Sequence, residues 1–168
     1  MSVPGAQRTR LGPASRVMAL AYKLFGRIRH RRAFDTPEQH GSASDFAAFA
    51  AARQCLLVTF KRSGEPVPTP VNFGLAEGKL YFRTEPHVAK VKRIQNQPLV
   101  RVCPCNLRGK PTGPFVQAHA RALTPGEDAA ARAAVAGNWR ADMKLAELGM
   151  DRVGVPMLYI ELTAAATS

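Results

Sequence analysis

The residues with the clearest chemical potential are cations. Arg83, Lys90, Lys92 and Arg93 crowd one short stretch, and Lys90 and Arg93 stand three apart, the spacing that puts two side chains on one face of a helix. A helix start adds free N–H groups and partial positive charge. Such a cluster can hold a phosphate or several carboxylates; its plain alternative is a solvated basic surface. Other site chemistries find little support. Cys103 and Cys105 lack a second ligand pair, and His30, His40, His87 and His119 are scattered, so no metal site is expected. Cys55 and Cys103 read as strand filler, Cys105 as a residue at a loop mouth, and His119 as a structural or dimer-contact residue. No nucleophile elbow, P-loop or dinucleotide fingerprint is present.

The elements that must position this cluster are mostly strands. Cys55–Phe60, Val67–Leu75, Leu80–Thr84, Leu99–Cys103, Phe115–Leu123 and Met157–Thr163 carry apolar or alternating patterns separated by turn residues at Arg62–Glu65, Ala76–Lys79 and Asn106–Gly113. Pro66, Pro68 and Pro70 recur every second residue, which suits only an edge or bulged strand. A short helix capped by Ser42 or Ser44 is expected over Asp45–Ala50, another over His87–Asn96, and one or two more from Thr124 to Leu148. Six strands with helical inserts predict a closed or nearly closed antiparallel β-barrel.

The 168 residues carry a net charge of +12, and 46% are hydrophobic, enough for one packed domain. Three cysteines exclude a disulfide-stapled scaffold as the default. Half of the excess charge lies in residues 1–40, where Arg8, Arg10, Arg16, Lys23, Arg27, Arg29, Arg31 and Arg32 face only Asp35 and Glu38. Residues 1–43 therefore read as a basic extension and 44–168 as the domain. Within the extension, Val17, Leu20, Ala21, Leu24 and Ile28 form a helical stripe opposite Arg16, Lys23 and Arg27. Three readings stay open for residues 14–32: a loose tail, docking on an anionic membrane surface or a partner, or a targeting segment. Nucleic acid is not the expected partner: aromatic residues are 7% of the chain and no recognition motif appears.

The stretch Thr59–Phe73 resembles the opening hairpin of the split β-barrel flavoproteins, the pyridoxamine 5'-phosphate oxidase-like superfamily. Lys79–Thr84, Ala89–Ile94 and Val100–Gly109 are similar to its actinobacterial branch that uses the deazaflavin coenzyme F420. The similarity spans residues 44–163 and leaves the extension outside. It implies a six-stranded antiparallel split β-barrel, mainly β with helical inserts, forming a homodimer with cofactor sites at the subunit interface. It implies that Pro70, Val71 and Asn72 lie on the strand whose backbone approaches the ring. Arg83 and Thr84 then end the strand beside the cofactor phosphate; Lys90, Lys92 and Arg93 form the anion-binding segment; and Arg108 lies on a loop at the mouth. F420 carries a phosphodiester and an oligoglutamate tail, which would give the cationic stretch its purpose.

The implied activity is hydride transfer between reduced deazaflavin and a small organic acceptor, with no catalytic side chain nominated. An FMN-binding oxidoreductase of the same fold and a flavin- or anion-binding protein without turnover are the alternatives. The C-terminal Arg/His motif of true pyridoxamine-phosphate oxidases is absent from Glu161–Ser168, so vitamin B6 oxidation is not expected. The expected location is cytoplasmic, with residues 14–32 able to touch the inner membrane face.

Overall fold

Apolar runs and turn residues produce the strands in the computed structural model, which describes residue 33, residues 37–138 and residues 156–166. Strand β2 (Gln54–Phe60) is followed by β3 (Pro66–Asn72), β4 (Gly74–Ala76), β5 (Lys79–Thr84), β6 (Leu99–Cys105), β7 (Phe115–Ala122) and β8 (Leu158–Ala164). A two-residue β1 (Ser42–Ala43) precedes them and runs parallel to β7; the other pairings are antiparallel. Three helices accompany the strands: α1 (Pro37–His40), α2 (Ala89–Asn96) and α3 (Ala129–Gly137). The expected helices over 14–32 and 139–148 fall outside the described residues.

The sheet order is β3-β2-β6-β7-β8-β5-β4, with β1 beside β7. Its two outermost strands, β3 and β4, are separated in sequence by Phe73 alone, so one bent stretch of chain joins both ends of the curled sheet. This is a split barrel with eight strands among the described residues, not the six expected. The expected single strand from Val67 to Leu75 breaks at Phe73, and the Ser42–Ala43 segment adds a strand that its two residues could not announce.

The prolines fall where their chemistry allows. The ladder between β2 and β3 runs unbroken from Gln54↔Asn72 to Phe60↔Pro66. Successive residues of a strand direct their N–H groups to opposite edges. Pro66, Pro68 and Pro70 therefore all turn their missing donors away from β2, to the edge that no strand among the described residues covers.

Leu57, Phe73, Leu80, Phe82, Val100, Val102, Val116, Ile160 and Leu162 fill the concave side, each fully or almost fully buried. Burial of a side chain of this size contributes about 1.5–3 kcal/mol. Ile94 of α2 and the edge-to-face series Phe46–Phe49–Phe73 complete that core. Phe49 sits in a 3-10 turn, Ala47–Phe49, too short for the helix expected there. Asp45, not a serine, accepts a hydrogen bond from the turn's Ala47 N–H at 2.9 Å.

The convex side holds a polar hub. Buried Glu161 accepts hydrogen bonds from Arg121 Nε (2.8 Å), Lys79 Nζ (3.1 Å) and Tyr81 Oη (3.2 Å), tying β5, β7 and β8 together. Burial pulls its carboxyl up, but the bonds from Arg121 and Lys79 outweigh that and hold it below the usual carboxylate range. Beside the hub, Tyr81, Leu123, Ala131, Val135 and Tyr159 pack α3 against the sheet.

Helix α3 approaches β4 closely enough that a Cβ at Gly74 would collide with the backbone of Ala134 and Val135. Asn138, just past the helix, donates from Nδ2 to the Phe73 carbonyl at 2.9 Å, clamping the bend between β3 and β4. Gly74→Ala is expected to destabilise the protein by about 1–3 kcal/mol, the usual scale of overpacking. Thermal or urea unfolding measures this, and an unchanged midpoint would mean that α3 does not press on β4.

Candidate functional site

Strand alternation sorts the expected site residues. Along β3, Val71 points into the core, while Pro70 and Asn72 take the opposite face. Asn72 Oδ1 accepts a hydrogen bond from Gln54 Nε2 at 3.1 Å across the β2–β3 ladder. Along β5, Leu80 and Phe82 lie in the core, so Thr84 shares their side and Arg83 turns to the other. Arg83 and Thr84 therefore do not present their side chains to one ligand together. Thr84 is buried, and its hydroxyl has no hydrogen-bond partner among the described residues; the same holds for Oε1 of the following Glu85.

Helix α2 follows this junction, and its three expected cations diverge. Lys90, Val91 and Ile94 form its buried face; Lys92 is exposed. Arg93 Nε donates to the hydroxyl of fully buried Thr59 at 2.7 Å, fastening α2 to β2. The expected anion-binding arginine thus has a structural task at one of its nitrogens.

Lys90 is 8% exposed, a rare condition for a lysine. Burial pushes its amine down to about 8; Arg93 pushes in the same direction, and Glu85 and Cys55 oppose it. An ammonium here sits in a poor solvent between a second cation, Arg93, and the carboxylate of Glu85. At the β5–α2 junction Lys90 feels Arg93 and Glu85, and Arg93 bonds Thr59; Thr84 precedes Glu85 at the end of β5. Thr59 and Glu85 went unnoticed in the sequence, where nothing but their neighbours marks them.

Arg108 arrives by a different route. It is exposed on the loop between β6 and β7, and that loop folds onto β3: a Cβ at Gly109 would stand 2.9 Å from Pro70 Cγ. The structure so brings the Arg108 loop to Pro70, whereas Lys92 faces solvent on α2.

Two open grooves lie elsewhere. One, about 470 Å³, runs between β4 and α3 past Phe49, Phe73, Leu75 and Ala134. The other, about 610 Å³, is lined by Ser42, Asp45, Arg101, Phe115 and Gln117. Neither contains an expected site residue. The cysteines are buried and reduced; burial pushes the Cys105 thiol up to about 12, which removes it as a nucleophile at neutral pH. Among the described residues no group of three potential ligands could hold a metal, and no helix is long and apolar enough to cross a membrane.

No family model and no curated protein matches the chain. Solved structures do. A putative 5-nitroimidazole antibiotic resistance protein from Bacteroides thetaiotaomicron aligns over 71% of this chain and 77% of its own, with TM-score 0.54 and 13% identity. A conserved hypothetical protein from Mycobacterium tuberculosis aligns over 69% and 75%, with TM-score 0.53 and 13% identity. A FAD-binding protein from Mesorhizobium loti aligns over 71% and 84%, with TM-score 0.51 and 15% identity. At such identities the likeness is one of fold. That fold is a split β-barrel, the architecture expected from the sequence.

Lys90 carries a linkage signature. Its amine titrates near 8 when folded and at 10.5 ordinarily, so between those values the unfolded chain holds more protons. Stability of the ligand-free protein is expected to rise with pH across that window. Lys90→Met should flatten the rise and stabilise the protein at pH 7 by about 1–3 kcal/mol. Denaturant unfolding at a series of pH values checks this; a variant less stable than wild type at pH 7 would make Lys90 a structural cation.

Proposed function

We propose that the protein is an oxidoreductase that binds a flavin-type cofactor, coenzyme F420, in a homodimer. The observation that carries the reading is the buried Lys90 beside Arg93 at the β5–α2 junction. A cation kept at a cost to stability is the mark of a site built for an anion. The unsatisfied hydroxyl of Thr84 fits the same purpose, since it can donate to a phosphate oxygen. That a FAD-binding protein has this fold supports the flavin class by analogy of fold alone.

Each group has a task derived from its chemistry. Lys90 and Arg93 would neutralise the phosphodiester, with Thr84 donating to it. Exposed Lys92 and Arg108 would meet the carboxylates of the oligoglutamate tail, which FMN lacks. The outer edge of β3, exposed at Pro66, buried at Pro68 and half-buried at Pro70 and Asn72, carries carbonyls with no donor between them until the N–H of Asn72. An acceptor row of this kind suits the ring N–H of a flavin or deazaflavin. Bound F420 supplies the hydride chemistry; the protein orients the ring and excludes water. Neither groove among the described residues contains these residues, and in this reading a second subunit closes the site. The acceptor is a small organic molecule.

Three outcomes are expected. Fluorescence titration should show F420 binding more tightly than FMN; FMN binding at least as tight would move the protein to the FMN-dependent alternative. Lys90→Ala should weaken F420 binding by about 1–3 kcal/mol, the scale of a charge-assisted hydrogen bond, and unchanged affinity would return the cluster to a basic surface. Light scattering should give a dimer, and a cofactor-loaded monomer at micromolar concentration would contradict the shared site.

A further inference from the structure

The larger groove marks a seam in the sheet. Strand β1 and the end of β8 share one edge of β7, the edge opposite β6. Ala43 pairs with Val116, and Ala165 N donates to the Gln117 carbonyl at 2.8 Å. β1 runs parallel to β7 and β8 antiparallel, so the two strands meet head-on near Gln117 and neither can continue. The notch where both chains leave the sheet opens into the groove of about 610 Å³, a size within the range of small-molecule sites.

One cation and one acid line it. Arg101 of β6 stands directly across from Gln117 of β7. Its guanidinium carbon is 5.1 Å from the centre of the Phe60 ring. Such stacking occupies one face of the group and leaves its N–H donors, which lie in its plane, for an acceptor. Arg101 is half-buried, and no carboxylate among the described residues pairs with it. Asp45, exposed just past β1, accepts from Ala47 N through Oδ1 at 2.9 Å. Its Oδ2 has no partner among the described residues.

The two charges approach β7 from opposite sides. Their strands, β6 and β1, are two strand spacings apart, about 10 Å. Between them Gln117 offers an amide, Ser42 and Ser44 offer hydroxyls, and Phe115 and Ala165 give apolar wall.

We propose that this groove binds a short peptide with free termini, its carboxylate on Arg101 and its ammonium on Asp45. A fully extended tripeptide spans roughly 10 Å, the separation of the two flanking strands. The amide and the hydroxyls can each donate and accept, as the peptide's own N–H and C=O groups require. A phosphate ester or other polyanion would use Arg101 but meet Asp45 as a like charge. A fatty acid would leave Asp45 and the three neutral polar side chains unmatched. None of these residues belongs to the cofactor site proposed above, so the peptide site is tested without cofactor.

The test is isothermal titration calorimetry of the full chain with trialanine, with N-acetyl-trialanine, which lacks the ammonium, and with trialanine amide, which lacks the carboxylate. Trialanine is expected to bind saturably, and each capped peptide roughly tenfold more weakly, the scale of one lost charge-assisted hydrogen bond. Asp45→Asn keeps an acceptor for Ala47 N–H, but it should bind trialanine and N-acetyl-trialanine alike while still rejecting the amide. Arg101→Gln should show the reverse pattern. Arg101 also packs on Phe60, so if Arg101→Gln melts early the exposed Asp45→Asn change carries the test. The proposal is overturned if trialanine shows no saturable binding at millimolar concentration, or if Asp45→Asn still prefers the free ammonium. Wild type that takes N-acetyl-trialanine as tightly as trialanine would overturn it in favour of a plain carboxylate site.

Discussion

The closure of the barrel depends on one bend. Strands β3 and β4 are the two ends of the sheet and also neighbours in sequence, so Phe73 and Gly74 must turn the chain from one sheet edge to the other. Phe73 fills the core at the turn and stacks edge-to-face on Phe49. Gly74 yields the space that α3 occupies, and Asn138 holds the Phe73 carbonyl from outside. Once the bend is set, β5 falls into register with β8, and the β5–α2 junction lands at the end of the barrel where Lys90 is buried.

The two faces of the wall are stabilised by different physics. The concave side is aliphatic and aromatic, and its contribution scales with apolar area removed from water. The convex side near α3 relies on Glu161, which three donors satisfy from the two strands that flank it, β5 and β7. A carboxylate with so many partners confers geometry more than net stability, because desolvating it offsets much of what the partners return. It fixes the alignment of β5, the strand that delivers Arg83 and Thr84.

The strands and turns were legible because their signals are local: alternation along Phe115–Ala122, the apolar run of β2, the glycine turns. The three prolines correctly marked an edge. Long-range facts were not legible. The burial of Lys90 depends on how α2 seats on β2, through Arg93 and Thr59, which lie 34 residues apart. The separation of Arg83 from Thr84 follows from simple alternation, although the resemblance sets both beside one phosphate. Glu161 had one available signal, an acid inside the otherwise apolar run Leu158–Leu162. Its partners Lys79, Tyr81 and Arg121 occupy the matching face of neighbouring strands, a match visible only once the strand order is known. The break at Phe73 had no sequence signal beyond the glycine that follows it, because α3 packs on Gly74 from sixty residues away.

The proline-bearing edge of β3 also bears on how the chain behaves in crowded solution. An open strand edge is a template on which other chains can extend a sheet, the first step of β-aggregation. Three donors are missing in a row along β3, so an incoming strand would find carbonyls without N–H groups and could not build a continuous ladder. The edge of β3 is thereby guarded against capture by polypeptide through the covalent structure of its own residues.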